Sequence, residues 1–172
     1  MESSNQLRAL AHPVRLRILS LLTGADLTAA DVARELGLTH ANASYHLRFL
    51  LDAGEIVVSG EETIRGGRAR RYRHHWRGED RPPSAASADP GAAGLVVRAA
   101  TQELQRRHRI RRRGVPGLVT DAELWVDAQT WERARALLEE ASALLHDGAL
   151  PPRTEGSELV NLSLFAFVME SQ

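Results

Sequence analysis

Within ten residues, Thr39, His40, Asn42, Ser44, Tyr45 and Arg48 set out side chains suited to the edges and phosphates of a nucleic-acid duplex. Arg48 has the reach for a phosphate or for guanine O6 and N7. Asn42 can pair with adenine, and Tyr45 can touch a thymine methyl while its hydroxyl donates. Ala43, Leu47, Leu50 and Leu51 recur among them at helical spacing, so the polar set shares one face of an amphipathic helix whose other face packs on Leu19, Val32 and Leu36. Alone, such a face also describes any solvated core helix. The residues downstream narrow the reading: Arg65, Arg68, Arg70, Arg71 and Arg73 cluster around Gly66-Gly67, an electrostatic footprint for phosphates.

The elements that must position these residues are legible upstream. A short helix carries Leu7 and Leu10, with Ser3 or Ser4 as its cap, and stops near His12 because Pro13 disfavours helical geometry in the residue before it. Pro13 opens a second helix with Val14, Ile18, Leu21 and Leu22 on one stripe, ended by Gly24. Thr28 caps a third, with Asp31 at the positive end of its dipole and Val32, Ala33 and Leu36 inside. Gly37 ends that helix and Thr39 caps the fourth, which runs to Gly54. Two short capped helices joined by a glycine turn predict a helix-turn-helix. From Ile56 to Arg73, β-branched and aromatic residues flank the diglycine and predict a hairpin, the wing.

From Glu79 to Ala93 the composition turns to Pro, Ser, Ala, Gly and Asp without periodicity, which predicts a linker. Beyond it, a long helix is expected over Leu95 to Arg112, with Val96, Ala100, Leu104 and His108 along one face. A strand near Glu123 to Asp127, a helix from about Gln129 to His146, and a strand from Leu159 to Met169 come after it. The expected fold class is α+β: an N-terminal winged helix-turn-helix domain (1–77), a linker (78–93), and a long helix plus a small C-terminal α/β module (94–172). The last strand is apolar on both faces, including Phe165 and Phe167, so a helix is expected on one side and a partner subunit on the other. Trp125 and Trp131, with Phe165 and Phe167, either line a pocket for a small-molecule effector or pack in the core and dimer interface.

The chain has 172 residues and balanced charge, yet all 22 of its basic residues other than histidine are Arg. Their distribution is uneven. Eleven Arg face eight acids from Met1 to Gly78, seven Arg face Glu103 alone from Gly94 to Arg113, and three Arg face ten acids from Gly114 onward. The run Arg106 to Arg113 is either a second DNA-contacting surface or a solvated helix end favoured by the dipole. Cysteine is absent, which excludes disulfides and thiolate metal sites. His74 and His75 are adjacent strand residues that point to opposite faces and are poorly arranged to share a metal. No metal and no cofactor is expected. No nucleophile with a base and orienting group, and no glycine-rich phosphate loop, stands out, so an enzyme is not expected either. The N-terminus lacks a signal-peptide pattern and no apolar run approaches bilayer length, giving a cytoplasmic expectation with no membrane partner.

Ala11-His12-Pro13-Val14-Arg15-Leu16-Arg17-Ile18-Leu19, Thr28-Ala29-Ala30-Asp31-Val32-Ala33, Asn42-Ala43-Ser44-Tyr45-His46-Leu47 and Leu50-Leu51-Asp52-Ala53-Gly54 together resemble the ArsR/SmtB-like winged-helix regulators. The resemblance covers roughly the first 75 residues, and the tail resembles, more vaguely, a strand-helix-strand extension of some such regulators. It implies a symmetric homodimer that represses transcription by occupying a pseudo-palindromic double-stranded operator, with release by an effector. The metal-sensing members' cysteine motif and Asp-and-His ligand pattern are missing, so metal sensing is not carried over. A winged helix facing another protein, without specific DNA binding, is the alternative; steep salt dependence separates the two. His40 and His46 lie in or beside the expected surface. A phosphate contact by either as a cation would make binding weaken from about pH 6 to 8.

Overall fold

The computed structural model describes residues 7–64, 67–76 and 90–170. Their order is α1 (helical over residues 7–10), α2 (Pro13–Gly24), β1 (Leu27–Thr28), α3 (Ala29–Leu36), α4 (His40–Asp52), β2 (Ile56–Ile64), β3 (Gly67–His74), α5 (Pro90–Arg109) and α6 (Ala128–Asp147). The mixture is α+β, as expected. Ser3 and Ser4, expected as the cap of α1, lie outside the described residues.

Local side chains set the helix ends. His12 is the N-cap of α2, in extended conformation, and its Nδ1 accepts from the Val14 amide at 3.2 Å, while Pro13 occupies a first-turn position that needs no N–H donor. Thr28 and Asp31 make a reciprocal capping box at α3: the Asp31 amide donates to Thr28 Oγ1 (3.2 Å) and the Thr28 amide to Asp31 Oδ2 (3.1 Å). Gly37 ends α3 at φ 66°, a left-handed conformation without penalty only for glycine.

Ile18, Leu19 and Leu22 of α2, Val32 and Ala33 of α3, and Ala43, Leu47 and Leu50 of α4 fill one core, closed below by Ala53 and Ile56. Arg15 ties its edge together. Its guanidinium lies 4.3 Å from the Phe49 ring centroid and its Nε donates to the Ala9 carbonyl at 2.7 Å, joining α1, α2 and α4.

The sheet has the order β1-β3-β2, all antiparallel, with Ile56 opposite His74, Ile64 opposite Gly67, and a register shift between Val58 and Gly60. Residues 65 and 66, between the two strands, lie outside the described residues. β1, which pairs Leu27 with Tyr72 and Thr28 with Arg71, went unread in the sequence because two residues leave no periodicity.

The second half departs from expectation in three ways. α5 begins at Pro90, five residues before the predicted Leu95, with proline suited to a helix start. Its buried positions are Ala99 and Glu103, with Val96 packed on Leu7, one position round from the predicted Val96-Ala100-Leu104-His108 stripe. Leu104 and His108 are exposed. The reason is steric and electrostatic: small Ala99 suits a close approach, and Glu103 is held by Arg106 (2.9 Å) and Arg107 (3.6 Å). Finally, the strands predicted over Glu123–Asp127 and Leu159–Met169 belong to no sheet within the described chain, although α6 between them forms. A strand is completed by a neighbour's N–H and C=O groups, and among the described residues these segments have no such neighbour.

The tail nonetheless touches the first half. Leu150 passes so close to the end of α2 that a Cβ on Gly24 would collide with its backbone. Arg153 pairs with Glu35 at 2.9 Å.

Candidate nucleic-acid interface

Thr39 begins the site. Its Oγ1 accepts the Asn42 amide at 3.2 Å, so the cap fixes where α4 starts and which side chains flank its positive end. Gly37 sets the turn before it, and the Leu38 amide donates to the Ala33 carbonyl at 2.9 Å, closing the end of α3. Arg17 of α2 reaches the Leu36 carbonyl at 3.3 Å and braces the same turn.

With Ala43, Leu47 and Leu50 fully buried, rotation of α4 about its axis is settled. His40, Asn42, Tyr45 and Arg48 consequently stand exposed on the opposite face, Thr39 is exposed at the cap, and Ser44 is half-buried at the margin. Tyr45 has 55% of its surface open despite its size. All six candidate residues thus lie on or beside one accessible face. They present amide, hydroxyl, imidazole and guanidinium groups, a set able to donate and accept at base edges and to neutralise a phosphate.

His46 is different. It is buried, its Nδ1 makes no hydrogen bond, and its ring centroid is 4.9 Å from that of His12 and 5.3 Å from that of Tyr45. The expectation that His46 could meet phosphate as a cation is therefore corrected: it supports α4 from behind. Burial first, then the positive charge of its neighbours His12 and Arg15, pushes its pKa below the ordinary imidazole value; burial and Arg15 do the same to His12.

The wing carries fewer free cations than its sequence suggests. Arg71 donates to Glu62 and to the Asp26 carbonyl, and Arg73 pairs with Asp26 at 3.0 Å, so both fasten β3 to its surroundings. Arg68 pairs with Glu61 across the hairpin. Arg70 is exposed and has no ion pair among the described residues. Arg65 lies outside the described residues. The missed signal was cross-strand register: placing Glu61 and Glu62 opposite Arg70 and Ala69 brings acids among the arginines, which composition alone hides.

The arginine run at the end of α5 is also largely engaged. Arg106 and Arg107 hold Glu103, Arg107 donates to Asn161 at 3.1 Å, and Arg112 pairs with Glu158 at 3.1 Å. Trp125, Phe165 and Phe167 stand exposed and Trp131 half-buried. A cleft of about 300 Å³ does exist elsewhere, between the end of the wing and the end of α6, where Trp76 stacks on His146 at 4.4 Å and Thr23 Oγ1 meets His74 Nδ1 at 3.0 Å. Among the described residues no group of three or more His, Asp or Glu is placed to hold a metal, and no helix is long and apolar enough to cross a membrane.

Residues 10–57 match the family model described as a helix-turn-helix domain. The matched segment runs from the end of α1 to the start of β2 and contains the whole of α2, α3 and α4. Over 50 residues the chain is also 38% identical to the transcriptional repressor SdpR of Bacillus subtilis (strain 168), a stretch covering 29% of this chain and 56% of that repressor. The family match takes in the whole of α4 and its exposed face.

Proposed function

We propose that this chain is a sequence-specific, double-stranded-DNA-binding transcriptional regulator of ArsR/SmtB-like type, acting as a homodimeric repressor released by an effector. The observation that carries the reading is the orientation of α4. Its apolar side is consumed by the core, and His40, Asn42, Tyr45 and Arg48 are left together on open surface next to a helix N-terminus. In the proposed complex α4 enters the major groove of each half-site, where Arg48 and Asn42 read base edges, Tyr45 meets a thymine methyl, and Thr39, His40 and Ser44 approach the backbone. Arg70, with Arg65 and Arg68, contacts flanking phosphates. Arg68 must then exchange Glu61 for a phosphate, an exchange between exposed groups that costs little.

The proposed division of labour is a winged-helix domain over 1–77, a linker that ends where α5 begins at Pro90 rather than at residue 93, and an assembly module from Pro90 to the end of the chain. Similarity to a named repressor supports the direction of regulation. In the effector reading, Trp125, Trp131, Phe165 and Phe167 serve as contacts once they are covered.

Fluorescence anisotropy on the duplex upstream of the chain's own gene, against scrambled duplex across a salt series, tests the proposal. Selective binding that weakens steeply with salt is expected. No binding at low salt by a folded protein would sink it and leave the winged helix as a protein-interaction module.

A further inference from the structure

The 63 residues after Arg109 carry apolar stretches of the kind an interior needs but leave them exposed. α6 is twenty residues long and buries none of them, although Leu137, Leu144 and Leu145 share its apolar face. On either side, Leu118, Leu124 and Trp125, then Leu159, Phe167 and Val168, are more than two-thirds exposed. Among the described residues, no backbone hydrogen bond joins 159–169 to another segment. Eleven consecutive residues with unpaired amides and apolar side chains on both faces form half of a structure.

The surface area agrees. The chain exposes 13009 Å², whereas a folded monomer of its 18.9 kDa mass should expose ~8,300 Å². Even if all residues outside the described ones are allotted unfolded-chain surface, an excess of roughly 1,800 Å² rests on the described residues. A stable complex of standard size needs about 800 Å² from each partner.

The missing cover does not come from the rest of this sequence. The residues outside the described ones, 1–6, 65–66, 77–89 and 171–172, contain no apolar run that would serve as a strand. A second copy supplies every requirement. It brings an alternating apolar strand, the open face of another α6, and charge of the opposite sign: ten acids against three Arg from Gly114 onward, beside the arginine-rich end of α5. The tail is also held ready for it, because Asn161 and Glu158 are fastened to Arg107 and Arg112, and Leu150 lies against Gly24.

We propose that residues 159–169 form an exchanged strand, paired through its backbone with the C-terminal segments of a second copy of this chain and covered by the apolar faces of the two α6 helices. This rests on the dimeric part of the reading above. It goes further, since it assigns the interface to the tail and makes the sheet absent from one chain a product of two. Trp125, Phe165 and Phe167 then become interface residues.

Hydrogen exchange on the full chain, read beside its mass by light scattering, tests the proposal without DNA. At micromolar concentration the mass of two chains is expected. Amides over 160–168 should exchange at least about a hundredfold more slowly than an unfolded segment, and the protection should fall on dilution. Because cysteine is absent, Ser163→Cys gives a unique spin-label site, and two labels in one shared sheet should lie within about 20 Å. A dimer whose 160–168 amides exchange freely would overturn the exchanged strand and leave the dimeric regulator standing. A monomer would overturn both, with DNA binding judged separately by anisotropy. Leu164→Pro, which removes a ladder donor, should yield a monomer that keeps the helical signal of α2 to α4.

Discussion

α4 and α6 are both amphipathic helices flanked by capping residues, yet one fills a core and the other buries nothing. α4 inserts Ala43, Leu47 and Leu50 among α2 and α3, while Leu137 and Leu144 of α6 face solvent. An apolar stripe specifies that a partner exists without specifying in which chain it lies. The contrast can be broken first at its strongest point. Leu50→Ala should remove about 2–5 kcal/mol from the stability of the winged-helix core, measured as the shift in urea unfolding. A loss below about 1 kcal/mol would mean that α4 packs no more firmly than α6.

The outer face of α4 gives the next effect in size. Arg48→Ala should cost about 1–3 kcal/mol on the cognate duplex and much less on scrambled DNA, because a base contact carries sequence information. Arg70→Ala should instead weaken both duplexes alike and reduce the salt slope by about 1, as a phosphate contact does. If the two variants behaved the same way in anisotropy titrations, the division between reading helix and wing would be wrong.

The same contrast explains what the sequence made legible. Thr28, Gly37 and Thr39 act through neighbours three or four residues away, so the helix-turn-helix and the exposed face of α4 follow from local spacing. Three features required knowledge of what lies across space. Arg71 and Arg73 read as free cations until the fold brings Asp26 and Glu62 beside them. His46 reads as a surface residue until α2 carries His12 over it. Residues 159–169 have the alternation of a strand, but alternation describes the faces of a ladder and leaves its neighbour undefined.

The buried imidazoles offer a smaller and directional effect. Burial depresses the pKa of both His12 and His46, so the unfolded chain takes up these protons before the folded one does. Stability is therefore complete above about pH 6.5, where an ordinary imidazole titrates, and is lost as pH falls from there through the lowered folded values. The urea midpoint should hold steady from about pH 8 to 7 and decline toward about pH 5. His12→Asn keeps a cap acceptor for Val14 and removes one imidazole, so its decline should be shallower. An equally steep decline would clear the His12–His46 pair of responsibility.

Leu144→Ala is the smallest change in a dilute single chain and the most informative about the comparison. The side chain is 73% exposed, so its truncation should shift unfolding by less than about 0.5 kcal/mol where the protein is monomeric. At concentrations where two copies associate, the same truncation uncovers apolar surface that α6 had buried, and the dimer should dissociate about tenfold more readily. Leu50→Ala has no such dependence on concentration, because all of its contacts lie within one chain. Equal behaviour of Leu144→Ala at both concentrations would show that the open face of α6 stays open, and that the two helices differ in whether they are packed at all rather than in who packs them.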